Sequence, residues 1–287
     1  MAEPGRISLF RCIAVALVCA AVAAPAAAAQ SADVAALQVA LRAHRLYAGD
    51  VDGLRGPLTT EGVRRFQARR GLVVDGIAGP ATKRALGRRG RPRLGARVMR
   101  AGARGWDVAG LQFLLGRHGF PTGGVDGGLG ARTDAALRRF QSWAGLGADG
   151  LAGPATLSRL RGPPPTSPLV FALPVSAPIG DGFGPRGNKF HTGLDFPVAS
   201  GTRVAAAGRG CVSFAGWSTG GYGKLVVIEH RLGMSSWYAH LSRVSIGRGT
   251  CVVAGTPIGR AGATGRTTGP HLHFETRLRG AAVAPRF

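Results

Sequence analysis

The sequence Pro270-His271-Leu272-His273-Phe274-Glu275 alternates polar and apolar side chains in the last third of the chain. Successive side chains of a β-strand point to opposite faces, so His271, His273 and Glu275 are expected to share one face. Leu272 and Phe274 would then face the core. This period of two predicts a half-buried strand that carries chemically active groups on one side.

Two further segments supply groups of the same kind. His191-Thr-Gly-Leu-Asp195 lies in a stretch that contains glycine and is bounded by proline, which indicates a loop entering a strand. Trp237-Tyr-Ala-His240 is aromatic and indicates another strand. Imidazole nitrogen and carboxylate oxygen are ligands that zinc accepts, and a catalytic zinc site uses three protein ligands. The candidates are therefore five: His191, Asp195, His240, His271 and His273.

The segment from about residue 173 to 287 resembles the catalytic domain of lysostaphin-type zinc endopeptidases, secreted enzymes that cut the peptide part of peptidoglycan. The resemblance rests on six elements that follow one another in the family order. They are Phe183-Gly-Pro-Arg186, His191-x-Gly-x-Asp195, Gly201-Thr-x-Val204, Ala215-Gly-Trp217, Trp237-Tyr-x-His240 and Gly269-Pro-His-Leu-His-Phe274.

The resemblance implies a role for each candidate. His191, Asp195 and His273 are expected to bind zinc, one ion per catalytic domain. His240 and His271 remain for proton transfer, which suits imidazole because it titrates near neutral pH. The sequence does not decide which of these two histidines is the general base.

Two positions stay open. Some family members carry a tyrosine a few residues before the first ligand, thought to stabilise the tetrahedral intermediate, but residues 184 to 190 contain none and Phe190 stands there. Glu275 could be a base or a partner of the metal ligands. The other histidines, His44, His118 and His230, are expected at the surface or in turns.

Residues 1–29 have the pattern of a secretory signal peptide: Arg6 and Arg11, an apolar run from Ile13 to Ala24, and then Pro25 and alanines. Cleavage is expected near Ala29. Cys19 raises the alternative of a lipid anchor, but Val18 does not suit a lipoprotein signal. The mature protein is expected to have no transmembrane segment and to be secreted, extracellular or associated with the cell wall.

Two cysteines remain after removal of the signal peptide, Cys211 and Cys251. Each opens a short apolar run that indicates a strand, and disulfides persist in an exported protein. A disulfide between them is expected if the two strands are neighbours. The alternative is a pair of buried free thiols.

A duplicated module lies between the signal peptide and the β-rich segment. Asp33-Val-Ala-x-Leu-Gln38, Val51-Asp-Gly53, Arg64-Arg-Phe-Gln67 and Asp75-Gly-x-Ala-Gly-Pro-Ala-Thr82 all recur at a constant offset of 74 residues. Helical spacing after Asp33, which suits a helix cap, predicts the first helix of each copy. A second helix stops at Gly71, and a third starts at Gly79-Pro80.

Both copies, residues 31–87 and 105–161, resemble the small helical peptidoglycan-binding domains found beside wall hydrolases. Most of the signature residues suit tight turns and cores, so the wall-contacting residues are not identified by the pattern. Modules tethered to a catalytic domain would raise its local concentration at an insoluble polymer.

Composition divides the rest of the chain. Residues 88–104 are rich in arginine and glycine and predict a linker, and the prolines of residues 162–172 predict a second, extended one. Residues 173–287 alternate short β-rich runs with glycine-rich turns. The fold class is therefore multidomain α + β, with two three-helix modules followed by an antiparallel, barrel-sandwich-like metallopeptidase domain.

The formal net charge is +23, and only three of the 37 basic residues are lysines. This charge favours attraction to anionic cell-wall polymers, whereas export argues against nucleic acid as a partner. The sequence thus predicts a secreted zinc endopeptidase, a peptidoglycan hydrolase acting on cross-links or stems. The alternatives are a non-catalytic wall-binding or regulatory protein with a degenerate peptidase fold, and a secreted peptidase that acts on non-wall proteins.

Overall fold

The computed structural model describes residues 30–287. The predicted signal peptide, together with Cys12 and Cys19, lies outside the described residues. Helices occupy the first half of the described chain, and strands occupy the second half. Within residues 30–287, each helix is too short or too polar to span a bilayer.

The helical half contains six α-helices in two sets of three. The matched helices of the two sets begin 74 residues apart. The second and third helices of the first set begin with proline, and so does the third helix of the second set. Proline is tolerated in the first turn of a helix. The helices are α1 (Ala32–Ala43), α2 (Pro57–Arg69), α3 (Pro80–Ala85), α4 (Trp106–Arg117), α5 (Ala131–Trp143) and α6 (Pro154–Arg161). A short 3₁₀ helix, Gly87–Gly90, follows α3.

Buried glutamines hold each module together. The Gln38 amide donates to Asp52 Oδ1 at 2.7 Å and to Thr59 Oγ1 at 3.2 Å, while its oxygen accepts the Gly53 amide at 2.9 Å. The same pattern joins Gln67 to Asp75 and Thr82. The second module repeats both networks with Gln112 and Gln141. These signature residues are therefore structural, because each network satisfies polar groups that burial would otherwise leave unpaired.

The sequence predicted that Asp33 caps α1, but it does not. The N-cap residue is Ser31, and Asp33 lies in the first turn. Its Oδ1 instead accepts a hydrogen bond from Trp106 Nε1 at 3.0 Å, across the junction of the two modules. The modules therefore pack against each other through α1 and α4.

The β-rich half forms three antiparallel sheets from twelve strands. The strands are β1 (Gly184–Arg186), β2 (Lys189–His191), β3 (Leu194–Phe196), β4 (Arg203–Ala205), β5 (Gly210–Ser218), β6 (Gly223–Glu229), β7 (Met234–Leu241), β8 (Arg243–Val244), β9 (Cys251–Val252), β10 (Pro257–Arg260), β11 (Leu272–Leu278) and β12 (Ala281–Val283). A 3₁₀ turn, Arg231–Gly233, precedes β7.

The largest sheet has the order β12-β11-β7-β6-β5-β9, and β3 also pairs with β11. The β1–β2 hairpin forms a separate two-stranded sheet, and β4-β10-β8 forms the third. The predicted succession of helical modules and an antiparallel β domain is confirmed. The large sheet is open, with β12 and β9 at its edges, so it does not close into a barrel.

Alternation along β11 places the core where the sequence predicted it. Leu272 and Phe274 are fully buried, in a cluster with Phe196 and Tyr238. At the opposite edge of the sheet, Cys211 on β5 lies directly opposite Cys251 on β9, and the two form a disulfide.

The helical modules contact the β domain rather than standing apart from it. Trp143 Nε1 donates to the Leu278 carbonyl at 3.1 Å, and the Ala282 amide donates to the Gly119 carbonyl at 3.1 Å. Ala281 of β12 is packed into the core of the second module. This close packing was not anticipated from the sequence, which suggested only a tether.

Candidate metal centre and catalytic groove

The centre is built around β11, which has a neighbour on each side. His273 is the direct partner of Asp195 on β3 and of Ala239 on β7. His191 is the last residue of β2, in the hairpin beside β3. Chain segments far apart in sequence thus bring three donor groups to one place.

These three donors converge closely. Asp195 Oδ1 lies 2.7 Å from His273 Nδ1 and 3.2 Å from His191 Nε2, and the two ring nitrogens are 3.1 Å apart. Together they form a group of the size and kind that can hold a metal ion. Both histidines are buried, so the site is shielded from bulk water except through the groove above it.

Hydrogen bonds at the far side of each ring determine which nitrogen has a free lone pair. His191 Nδ1 lies 2.7 Å from the Gly182 carbonyl, which can only accept, so Nδ1 carries the proton and Nε2 is the free atom. His273 Nε2 lies 2.9 Å from Glu275 Oε1, which leaves Nδ1 free. Both free nitrogens are those that face Asp195. The donor set of two imidazoles and one carboxylate therefore fits a zinc ion, for which three protein ligands suffice in a catalytic site.

Gly193 permits this convergence. A Cβ atom there would lie 2.4 Å from the Phe274 carbonyl oxygen and 3.0 Å from His273 Cε1. The glycine in His191-x-Gly-x-Asp195 thus allows the loop between β2 and β3 to pass directly over β11.

His240 and His271 stand together beside the three donors. Their ring centroids are 4.7 Å apart, and His271 Nε2 lies 3.7 Å from Asp195 Oδ1. The Thr264 carbonyl accepts from His240 Nδ1 at 2.7 Å, and the Gly269 carbonyl accepts from His271 Nδ1 at 2.9 Å. Each ring consequently keeps an Nε2 lone pair able to accept a proton.

The backbone at His240 explains how this side chain reaches the site. Ala239 is directly opposite His273, so strict alternation would turn His240 to the other face of the sheet. His240 instead has a φ of 60°, in the left-handed region that non-glycine residues seldom adopt. Such conformations concentrate at functional sites, where the surrounding structure enforces them.

Glu275 is fully buried and joins the metal donors to a wider polar network. Its Oε1 accepts from His273 Nε2, from the Thr192 hydroxyl and from the Tyr222 hydroxyl. Arg277 donates to Oε2 from Nε at 2.8 Å and lies 3.8 Å from the centre of the Trp237 ring. Both oxygens of this carboxylate therefore accept hydrogen bonds, which suits a residue that orients His273.

Charge coupling shifts the pKa values of these groups. Burial alone would raise the pKa of Glu275, but Arg277 and His273 outweigh it and lower the pKa to about 2. Burial alone would lower the pKa of His273, but Asp195 and Glu275 raise it to about 9, so zinc binding at Nδ1 would have to displace a proton from this ring at neutral pH. Burial also opposes ionisation of Asp195, yet the adjacent imidazoles of His191 and His273 hold its pKa well below the usual range.

Burial lowers the pKa of His240, and the neighbouring rings of His271 and His273 act in the same direction. A lowered pKa keeps this imidazole neutral at neutral pH. His240 is therefore in the protonation state that a general base requires.

A groove of about 960 Å³ opens above the five candidates. The β1–β2 hairpin forms part of its wall, with Arg186 and Lys189 facing the space. Arg186 Nη1 lies 2.7 Å from Asp181 Oδ2 and 3.4 Å from Asp195 Oδ2.

Sequence reasoning missed two features, one beside the site and one in the second module. It did not anticipate the Tyr222–Arg277 pair around Glu275, although the continued alternation of β11 places Arg277 on the same face as Glu275. It also expected His118 at the surface, but His118 is buried in the second module with Nε2 3.0 Å from the Leu160 carbonyl. Phe190, at the position where some relatives carry tyrosine, packs edge-on against Phe183.

Comparison with family models identifies the β domain. Residues 189–285 match the model described as Peptidase family M23. The C-terminal part of this chain belongs to peptidase family M23. Residues 30–86 and 104–160 each match the model described as "Putative peptidoglycan binding domain". The chain thus combines an M23 metallopeptidase domain with two modules of the peptidoglycan-binding type.

Curated relatives share separate parts of this organisation. The DD-carboxypeptidase/endopeptidase Mpg of Neisseria meningitidis serogroup B is 43% identical over 120 residues, which cover 41% of this chain and 27% of Mpg. The N-acetylmuramoyl-L-alanine amidase CwlM of Mycobacterium tuberculosis is 50% identical over 104 residues, which cover 35% of this chain and 25% of CwlM. The chain therefore spans only about a quarter of the length of each of these relatives.

A solved structure of the catalytic domain of lysostaphin from Staphylococcus simulans is 36% identical to this chain. The match covers 38% of this chain and 89% of that domain, with a TM-score of 0.37.

Proposed function

We propose that this protein is a secreted, zinc-dependent endopeptidase that hydrolyses peptide bonds in the cross-links or stems of peptidoglycan. The observation that carries the proposal is the convergence of three candidate metal ligands with two further imidazoles at the base of an open groove. His191, Asp195 and His273 would hold the zinc ion, and His240 and His271 would transfer protons. M23 membership and the two matched modules support peptidoglycan as the substrate.

Zinc held by these three residues would polarise the scissile carbonyl and make a water molecule a better nucleophile. Of the two remaining imidazoles, His240 has its Nδ1 proton committed to the Thr264 carbonyl, so Nε2 can take a proton from the attacking water. As the carbon–nitrogen bond breaks, an imidazole returns that proton to the leaving amine. His271 has an equivalent free Nε2, and the division of the two transfers between the histidines stays open.

The Glu275 network would orient His273 for its role. A hydrogen bond from the distal ring nitrogen to a carboxylate leaves Nδ1 as the atom that can bind zinc and fixes the direction of the ring. Arg277 neutralises the buried carboxylate, so Glu275 can stay ionised without leaving an unpaired charge inside the domain.

Export is supported by two independent features. Residues 1–29 have the composition of a signal peptide, and Cys211 and Cys251 form a disulfide, which is typical of an oxidising compartment. The net charge of +23 would favour adsorption to anionic wall polymers. We also propose the domain limits inferred from the sequence, with modules at 31–87 and 105–161 and a peptidase domain at 173–287.

The test is hydrolysis of purified walls of known cross-link chemistry by the zinc-loaded protein, followed by mass spectrometry of the released fragments. New amino termini within stems or cross-links are the expected result, and the fragment masses identify the scissile bond. A denatured, non-wall protein serves as the comparison substrate. Zinc-loaded protein that releases no peptide fragment from any wall would refute the proposal, and preferential cleavage of the comparison substrate would favour a non-wall peptidase.

A further inference from the structure

The β1–β2 hairpin contacts both helical modules at its turn. The Val51 amide donates to the Gly187 carbonyl at 2.8 Å, and the Val125 amide donates to the adjacent Asn188 carbonyl at 2.7 Å. Val51 and Val125 occupy the same position in the two copies of the repeat, the valine of Val-Asp-Gly. The duplicated modules therefore present two equivalent donors to two successive carbonyls.

A third contact closes the turn from the other side. The Gly187 amide donates to Asp50 Oδ1 at 2.7 Å, so the peptide groups on both sides of Gly187 are bound by the first module. In the second module, Gly124 occupies the position equivalent to Asp50, so only the first module offers a carboxylate to the turn. Asp50 is exposed and is the one side chain that contributes to the three bonds.

The strand behind the turn is also supported by the second module. Gly116 of α4 faces Phe190, and a Cβ atom at Gly116 would lie 3.2 Å from Phe190 Cδ2. The absence of a side chain at Gly116 lets the Phe190 ring lie against the helix. Phe190 directly precedes His191, so this contact is one residue away from a candidate metal ligand.

The hairpin needs such support because of its size. It consists of two strands of three residues each and pairs with no third strand among the described residues. An isolated two-stranded hairpin is at best marginally stable in water. The same hairpin nevertheless supplies the groove wall and ends at His191.

We propose that the two modules position the catalytic site as well as bind the wall, by clamping the β1–β2 hairpin through Val51, Val125 and Asp50. Asp50 is a positioning residue: it acts through Gly187 on the groove wall and on His191. This inference rests on the proposed function, because it assigns a second task to modules whose first task is anchoring. Deleting the modules would remove anchoring and clamp together, so point variants are required.

The test compares Asp50→Ala with Asp50→Asn and Glu61→Ala in the full chain. Asparagine keeps an Oδ1 acceptor for the Gly187 amide, whereas alanine removes it. Glu61→Ala is the matched control, because Glu61 is an exposed acid of the same module that forms an ion pair with Arg65 at 2.7 Å. All three variants are measured for hydrogen exchange of residues 184–191, for kcat and KM on a soluble cross-linked stem-peptide dimer, and for sedimentation with walls.

Asp50→Ala is expected to speed exchange in the hairpin and to lower kcat on the order of tenfold, since misplacement of catalytic groups by 1 Å can cost about 100-fold. Wall sedimentation should be unchanged, and Asp50→Asn and Glu61→Ala should resemble the wild type. Unchanged exchange and unchanged kcat in Asp50→Ala would overturn the clamp. If the wild-type protein itself fails to hydrolyse walls, the proposed function fails, while the exchange comparison still decides whether the hairpin is clamped.

Discussion

Glu275 Oε1 lies 2.9 Å from His273 Nε2, two residues away on the same strand and on the same face of the sheet. This contact leaves His273 Nδ1 free to face Asp195 Oδ1 at 2.7 Å. One buried carboxylate thus determines which nitrogen of the neighbouring imidazole is available to a metal ion. The relationship follows from the period of two in a β-strand, which brings residues i and i+2 side by side.

Glu275→Gln should weaken zinc binding by about 10- to 100-fold, the usual effect of changing the partner of a metal-bound histidine. The amide no longer balances Arg277 and holds His273 less firmly in the required tautomer. Competition with a chromophoric chelator measures the zinc affinity. Glu229→Gln, an exposed change at the end of β6, is the control. Equal zinc affinities for the two variants would contradict the role of Glu275.

His273→Ala and His240→Ala should separate metal binding from proton transfer. The first variant loses one of three converging donors and should fail to retain zinc through dialysis. The second should retain one zinc per chain while its kcat falls by roughly 100- to 10,000-fold, the range typical of a lost general acid or base.

Zinc content by atomic absorption and turnover on a soluble stem-peptide dimer are the two measurements. His44→Ala, a change in the first module, is the control for both. Loss of zinc from His240→Ala would show that the division between ligands and proton-transfer groups is wrong.

Replacement of both Cys211 and Cys251 by serine should destabilise the β domain. The disulfide closes a loop with a sequence separation of 40 residues. A loop of this length is worth about 4 kcal/mol in the chain-entropy model, because the crosslink restricts the unfolded state. Urea denaturation of the wild type with and without reductant, beside the double variant, measures the difference. A double variant as stable as the oxidised wild type would contradict this expectation.

His118 should make folding stability depend on pH below about 6.5, its model-peptide pKa. Burial lowers the pKa of His118 in the folded protein, and the charge of Arg117 adds to that effect. The unfolded chain therefore binds more protons between the two pKa values, so stability is complete above about 6.5 and is lost as the pH falls through the folded pKa.

His118→Gln keeps a donor for the Leu160 carbonyl but cannot be protonated in this range. Its thermal unfolding temperature should fall less than that of the wild type between pH 7.5 and pH 5. His44 and His230, whose pKa values are also lowered by burial, contribute equally to both proteins. Parallel pH dependences would remove His118 as a source of the effect.

The sequence by itself determined the local features of this protein. A constant offset of 74 residues defined two equivalent modules, and the helices of both modules begin at matched positions. Alternation through residues 271–275 placed Leu272 and Phe274 in the core and the histidines on the other face. These properties depend on residues close in sequence, and their periods are visible without knowledge of the fold.

Only the tertiary structure decided how distant segments meet. Donors up to 82 residues apart come within hydrogen-bonding distance because β3 pairs with β11 and because Gly193 has no side chain to block the approach. The left-handed backbone at His240 turns its ring toward the same place. The docking of both modules on the β1–β2 hairpin uses two bonds between backbone amides and carbonyls, which no side-chain pattern records, and a single side chain, Asp50. His118 was misjudged because the hydrogen bond of its buried ring is made by Nε2 to a carbonyl 42 residues away, which the local sequence does not show.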